Sequence, residues 1–145
     1  MSTSDKFILK WHEFQENMMD SVGSLMENNN FADVTLICED GEEIKAHKII
    51  LASSSLFFEK LLARSTHPYS LIYMRGVKSE ILLEIINFLY NGEASILQEN
   101  LMTFLSICDE LKVKGLDGYS IGHGNESKHN LPQENMSPRK KIIHT

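Results

Sequence analysis

Phe31-Ala32-Asp33-Val34-Thr35-Leu36-Ile37-Cys38 leads through Glu39-Asp40-Gly41-Glu42 into Glu43-Ile44-Lys45-Ala46, and then into His47-Lys48-Ile49-Ile50-Leu51-Ala52-Ser53-Ser54-Ser55-Leu56-Phe57-Phe58. Val34 to Cys38 is β-branched and apolar, which predicts a buried strand. Asp-Gly at 40–41 is a strong hairpin signal, so Glu43 to Ala46 is expected to return antiparallel. His47 to Ala52 and Leu56 to Ala63 read as two short helices. The hydroxyls of Ser53-Ser54-Ser55 lie between them and can cap the second.

Upstream, Asn28-Asn29-Asn30 ends a helix with turn formers. Within that helix Trp11, Phe14, Met18, Val22 and Leu25 recur at steps of 3, 4, 4 and 3. The spacing keeps them on one stripe. Met19 and Met26 widen it, and Glu13, Glu16, Asp20 and Glu27 occupy the opposite face. Such a stripe packs either on its own core or on a second chain. Phe7-Ile8-Leu9 is too short for a helix and reads as a strand in need of a partner edge. Downstream, Ser70 to Met74 is a third strand. Lys78 to Asn91 is a helix apolar on most sides and hence buried, with Gly92 ending it. Gln98 to Val113 is a further helix, with Leu101, Phe104, Leu105, Cys108 and Leu111 on one face. This order is α+β, a small sheet packed by a cluster of α-helices.

The composition fits that reading. Of 145 residues, 42% are hydrophobic and 23% charged, enough to bury one core. Apolar runs such as Ile81 to Tyr90 stop at about half the roughly 20 residues that span a bilayer. No secretory signal is visible at the N-terminus. A net charge of −6 argues against wrapping nucleic acid through its backbone. Residues 1–116 hold 17 acidic and 10 basic side chains, a balance of −7, whereas 117–145 hold 3 and 4, a balance of +1. The second segment also has few large apolar residues among Gly, Asn, Ser and Pro. It is expected to be a flexible tail, and 6–116 the folded domain.

No chemistry is legible. His12, His47, His67, His123, His129 and His144 show no zinc-ligand spacing, and H-E-x-x-H is missing. There is no nucleophile elbow, P-loop or dinucleotide loop. Cys38 and Cys108 make neither a disulfide framework nor a zinc signature, which fits a cytosolic or nuclear compartment. The expectation is no enzyme, no cofactor and no metal.

Two sets of residues are more specific. Phe31-Ala32-Asp33-Val34-Thr35-Leu36 with Lys45-Ala46-His47-Lys48, Leu51-Ala52, Ser55 and Phe58 resembles the BTB/POZ domain. Phe88-Leu89-Tyr90-Asn91-Gly92-Glu93 and Leu111-Lys112-Val113-Lys114-Gly115-Leu116 are similar to that family's later motifs. The opening Phe7-Ile8-Leu9-Lys10-Trp11 resembles the start of the insect Tramtrack-type group. The resemblance covers about residues 6–116. It implies a dimerisation module in which the first strand and helix pack on a second chain. Phe7, Ile8, Leu9, Trp11, Phe14, Met18, Val22 and Leu25 would then line the dimer interface. It also implies a charged pocket at Asp33 and Lys48. With Asp33 buried and paired, Asp33→Asn is expected to be more damaging than Asp40→Asn in the hairpin turn.

The implied function is homo- and hetero-oligomerisation of nuclear transcription or chromatin regulators, as a dimer or a larger assembly, with other BTB proteins or transcriptional cofactors as partners. Two cysteines cannot build a zinc finger, so no direct sequence-specific DNA binding is expected, and no membrane. A substrate adaptor of a cullin ubiquitin ligase is the alternative. Against it, Ala63-Arg64-Ser65-Thr66-His67-Pro68 lacks the glutamate that such adaptors carry after the third helix. In the tail, Ser137-Pro138-Arg139-Lys140 resembles a proline-directed kinase site, and Ser137 is a candidate phosphosite beside three basic residues.

Overall fold

The computed structural model describes residues 4–116. In chain order its elements are α1 (Phe14–Leu25), β1 (Val34–Ile37), β2 (Glu43–Ala46), α2 (Lys48–Ser54), α3 (Leu56–Ala63), β3 (Ser70–Tyr73), α4 (Ser79–Asn91) and α5 (Leu101–Glu110). The sheet order is β2-β1-β3. β1 runs antiparallel to β2, with Val34 opposite Ala46, and parallel to β3, with Val34 opposite Ser70. A parallel joint needs a crossover, and α2 and α3 supply it. Leu36, Ile44 and Ile72 share the face turned to the core, while Thr35, Lys45 and Leu71 share the outer face.

Leu36, Leu51, Phe58, Leu82, Ile85 and Ile86 form the fully buried centre of the core. The strand at 34–37, the hairpin and both crossover helices follow the sequence pattern. Three elements depart from it. α4 is not buried all round: Ile81, Leu82, Ile85, Ile86 and Tyr90 face inward, but Leu83 is exposed. Its Glu84 stays near the surface, where Oε1 accepts from the Ser95 N–H at 3.0 Å. α1 begins only at Phe14, because Glu13 takes a left-handed backbone (φ 60°) and leaves Trp11 ahead of the helix. The expected helix over Gln98 to Val113 is a 3-10 turn, Gln98–Asn100, followed by α5, which stops at Glu110. Lys112 turns left-handed (φ 53°) there, and Val113 pairs instead with Ser55.

Ser55 is the clamp at that junction. Its fully buried hydroxyl donates to the Leu111 carbonyl at 2.6 Å and accepts from the Phe58 N–H at 3.1 Å. One side chain thus caps α3 and fixes the exit of α5. Gly92 (φ 82°) ends α4 in the conformation only glycine adopts freely.

Asp40 has a second task beyond the hairpin. Its Oδ2 accepts from the Ser79 hydroxyl at 2.8 Å and from the Ser79 N–H at 3.2 Å, at the start of α4. The Ser79 hydroxyl first, then that N–H, hold the Asp40 carboxyl below the usual carboxylate range. A lowered folded value means its contribution is complete above the ordinary carboxylate range and is lost as pH falls through the lowered value. Asp40→Ala is therefore expected to lower the melting temperature at neutral pH and to flatten its acid dependence. Thermal melts of both proteins across the acid range check this.

Candidate interaction surface

The polar groups inside the domain serve its architecture. His47 is buried, and its Nε2 lies 2.9 Å from the Asn30 carbonyl. A carbonyl only accepts, so Nε2 carries the proton and Nδ1 accepts from the Tyr90 hydroxyl at 2.7 Å. The same Tyr90 oxygen accepts the His47 backbone N–H at 2.9 Å. Burial pushes the Tyr90 hydroxyl up to about 12, which keeps it a neutral donor. Burial likewise pushes the Cys108 thiol up to about 12, so it packs as a small apolar group. Cys38 is also buried and free. Among the described residues no cluster of His, Cys, Asp and Glu is arranged to hold a metal ion, and no helix is long and apolar enough to cross a membrane.

The surface is unusual at the N-terminus. Phe7 and Ile8 are each 83% exposed and Leu9 92%, with no strand formed in the single chain. Trp11 is 56% exposed and stacks edge-on against Phe14, ring centroids 4.9 Å apart. Phe14, Met18 and Met19 are exposed as well, and α1 contains no buried residue. The stripe is therefore divided. Val22, Leu25 and Met26 pack on the domain's own core, and the preceding turns present their apolar side to solvent. The attachment is made against α4, where Gly23 lies against the Asn91 side chain and Asn91 Nδ2 reaches Met26 Sδ at 3.6 Å. A Cβ on residue 23 would collide with the Asn91 amide oxygen, so only glycine permits this approach unshifted.

Asp33 and Lys48 do meet, but through the main chain. Asp33 Oδ1 accepts from the Lys48 backbone N–H at 2.8 Å, while the Lys48 ammonium turns away to the His67 carbonyl at 2.7 Å and the Pro68 carbonyl at 3.3 Å. Both residues are only partly buried. The expected buried ion pair is replaced by a carboxylate at the N-terminus of α2, where four amides lack helical acceptors. The resemblance implies that the two residues share a pocket and is silent on which nitrogen the carboxylate takes.

Phe31, which heads the BTB-like motif, and Ile49 are not among the expected interface residues. Both are exposed, at 87% and 72%. The 30–33 loop is tied to the start of α2 by the Asn30–His47 and Asp33–Lys48 hydrogen bonds, which brings Phe31 to the same end of the domain as Ile49. Phe31 also holds a left-handed backbone (φ 66°), rare for an aromatic residue. Leu71 and Tyr73 on β3 are likewise exposed. Alternation along a strand marks them as outward-facing, although it does not show how much of each side chain stays exposed. Ser137 lies outside the described residues, as does the whole segment expected to be a tail.

The comparisons with known proteins agree with this architecture. The family model of the BTB/POZ domain matches residues 22–118. "Longitudinals lacking protein-like" of Drosophila melanogaster is 42% identical over 116 residues, which cover 80% of this chain and 91% of that protein. "Protein bric-a-brac 1" of the same organism is 38% identical over 115 residues, 79% of this chain and 12% of its own length. "Protein tramtrack, alpha isoform" is 33% identical over 113 residues, 78% of this chain and 14% of its own. The chain thus spans nearly all of the first relative and only about an eighth of the other two. Among solved structures, the BTB domain of zebrafish PATZ1 superposes with a TM-score of 0.65 at 18% identity, covering 75% of this chain and 89% of that one. The BTB domain of human gigaxonin gives 0.60 at 22%, with the same coverages. The chain belongs to the BTB/POZ domain family.

Proposed function

We propose that this domain acts by joining chains, through self-association and pairing with other BTB proteins, within nuclear transcriptional or chromatin regulators. The observation that carries the reading is the solvent-exposed apolar run from Phe7 through Trp11 into Phe14, Met18 and Met19 of α1, a helix that among the described residues packs on the core at its far end. An apolar patch of this kind marks a protein interface. Phe7, Ile8, Leu9, Trp11, Phe14 and Met18 form its contact face, and Val22 and Leu25 hold the helix to the domain. The nuclear setting is supported by similarity to the BTB regions of tramtrack and the bric-a-brac proteins.

The test is mass against concentration by sedimentation. The intact chain is expected to be associated at micromolar concentration, and Phe14→Lys to lower its mass while leaving the circular dichroism unchanged. A folded monomer at all concentrations overturns the reading. Trp11→Ala is expected to weaken association and to change the stability of a dissociated chain by less than about 1 kcal/mol, since the ring is half-exposed before a partner arrives.

Asp33 fixes the start of α2, next to the exposed Phe31 and Ile49. Asp33→Ala is expected to cost about 1–2 kcal/mol, as for loss of a helix cap. Asp33→Asn should cost less, because its amide oxygen still accepts the Lys48 N–H. Urea unfolding of both variants distinguishes a cap from an ion pair, which would make the two equally damaging.

A further inference from the structure

The two edges of the sheet are protected unequally. β2, at one edge, is Glu43-Ile44-Lys45-Ala46 and points Glu43 and Lys45 outward. Charges of this kind discourage another strand from adding on. β3, at the other edge, is Ser70-Leu71-Ile72-Tyr73 and has no charge, proline or bulge. Its pairing to β1 uses alternate residues: Ser70 N–H bonds the Asp33 carbonyl at 3.2 Å, and Met74 N–H bonds the Ile37 carbonyl at 2.8 Å. In a parallel ladder that parity turns the N–H and C=O of Leu71 and Tyr73 away from β1. Among the described residues β1 is the only strand paired with β3. The open side adjoins a groove of about 350 Å³ lined by Leu61, Leu62, Ser65, Ser70 and Ile72. Leu71 and Tyr73 are 67% and 57% exposed on the outer face.

We propose that β3 is a second self-association site, pairing antiparallel with β3 of another copy about a two-fold axis at Ile72. The occupant follows from the register. With the axis at Ile72, Leu71 stands opposite the second copy's Tyr73, and Tyr73 opposite its Leu71. Each pair exchanges both main-chain hydrogen bonds, so all four outward groups on each strand are satisfied. On the outer face each exposed leucine then lies beside an exposed tyrosine, an aromatic–aliphatic cross-strand contact. A charged or proline-bearing strand would leave that contact unmade. The site is distinct from the α1 face, and the two together allow assemblies larger than a dimer.

The experiment measures weight-average mass across concentration for the full chain and its Leu71→Pro, Leu71→Lys, Phe14→Lys and Glu43→Lys variants. Proline at 71 removes only an N–H that faces outward, so the β1–β3 ladder stays intact. Leu71→Pro and Leu71→Lys are expected to lower the mass by a factor of about two or more with unchanged circular dichroism, and Glu43→Lys to leave it alone. Mass lost in Phe14→Lys but unchanged in both Leu71 variants overturns the β3 site and leaves the α1 face standing. Mass lost in the Leu71 variants but not in Phe14→Lys supports β3 and overturns the α1 face.

Discussion

Phe58→Ala is expected to lower the unfolding free energy by about 3–5 kcal/mol, the range for truncating a fully buried aromatic ring. Phe58 has no exposed surface, and its own N–H is held by the Ser55 hydroxyl, so the backbone cannot slide inward to fill the void. Phe57, its neighbour, sits edge-on with ring centroids 5.3 Å apart and is 40% exposed. Phe57→Ala should therefore cost about half as much or less. Denaturant unfolding of both variants checks the ratio, and equal losses would contradict the placement of α3.

Tyr90→Phe is expected to cost about 2–4 kcal/mol, although it removes a single oxygen. That oxygen accepts the His47 N–H and donates to His47 Nδ1, and both of those groups are buried. Two polar atoms would lose their partners at about 1–3 kcal/mol each, partly offset by local relaxation. The loss should appear in the unfolding free energy with little change in the denaturant slope, because the core stays packed. If Tyr90→Phe matches wild type, water reaches His47 and the network is not closed. His47→Ala should cost less in the Tyr90→Phe background than in wild type, because the Nδ1–Tyr90 bond is already gone, although the Nε2 bond to the Asn30 carbonyl is still lost.

Much of the architecture was legible because local and tertiary preferences agree. Val34 to Ile37 is β-branched and lies at the centre of the sheet, where such residues belong. Ser55 was legible as a cap, since a serine before Leu56 has one obvious use. What escaped the pattern depends on contacts distant in the chain. α5 ends at Glu110 because Val113 is drawn to Ser55, 58 residues earlier. Asp40 looked like a turn residue because the Ser79 it caps is 39 positions away. The resemblance pairs Asp33 with Lys48, but it carries no information about whether a carboxylate meets an ammonium or an amide, and here Oδ1 takes the Lys48 main-chain N–H. The apolar stripe of the first helix was visible from Phe14 onward, although Trp11 lies ahead of the helix; its division into an anchored end and an open end required the position of Asn91.

The one-ended attachment of α1 has a kinetic signature. A helix of 12 residues is marginal in water by itself, so its order must be borrowed from whatever it touches. Among the described residues it is the Val22–Met26 end that packs on the core, and the amides of Phe14 to Asp20 should exchange with deuterium through local fraying, without opening the core. The amides of Ile85 and Ile86, on the buried side of α4, should exchange only when the domain unfolds. Diluting the protein should therefore speed exchange in the first half of α1 by a large factor while leaving α4 unchanged. The boundary between fast and slow amides should then fall inside one continuous helix, at the point where the domain's own contacts end and the proposed contacts with a second chain begin.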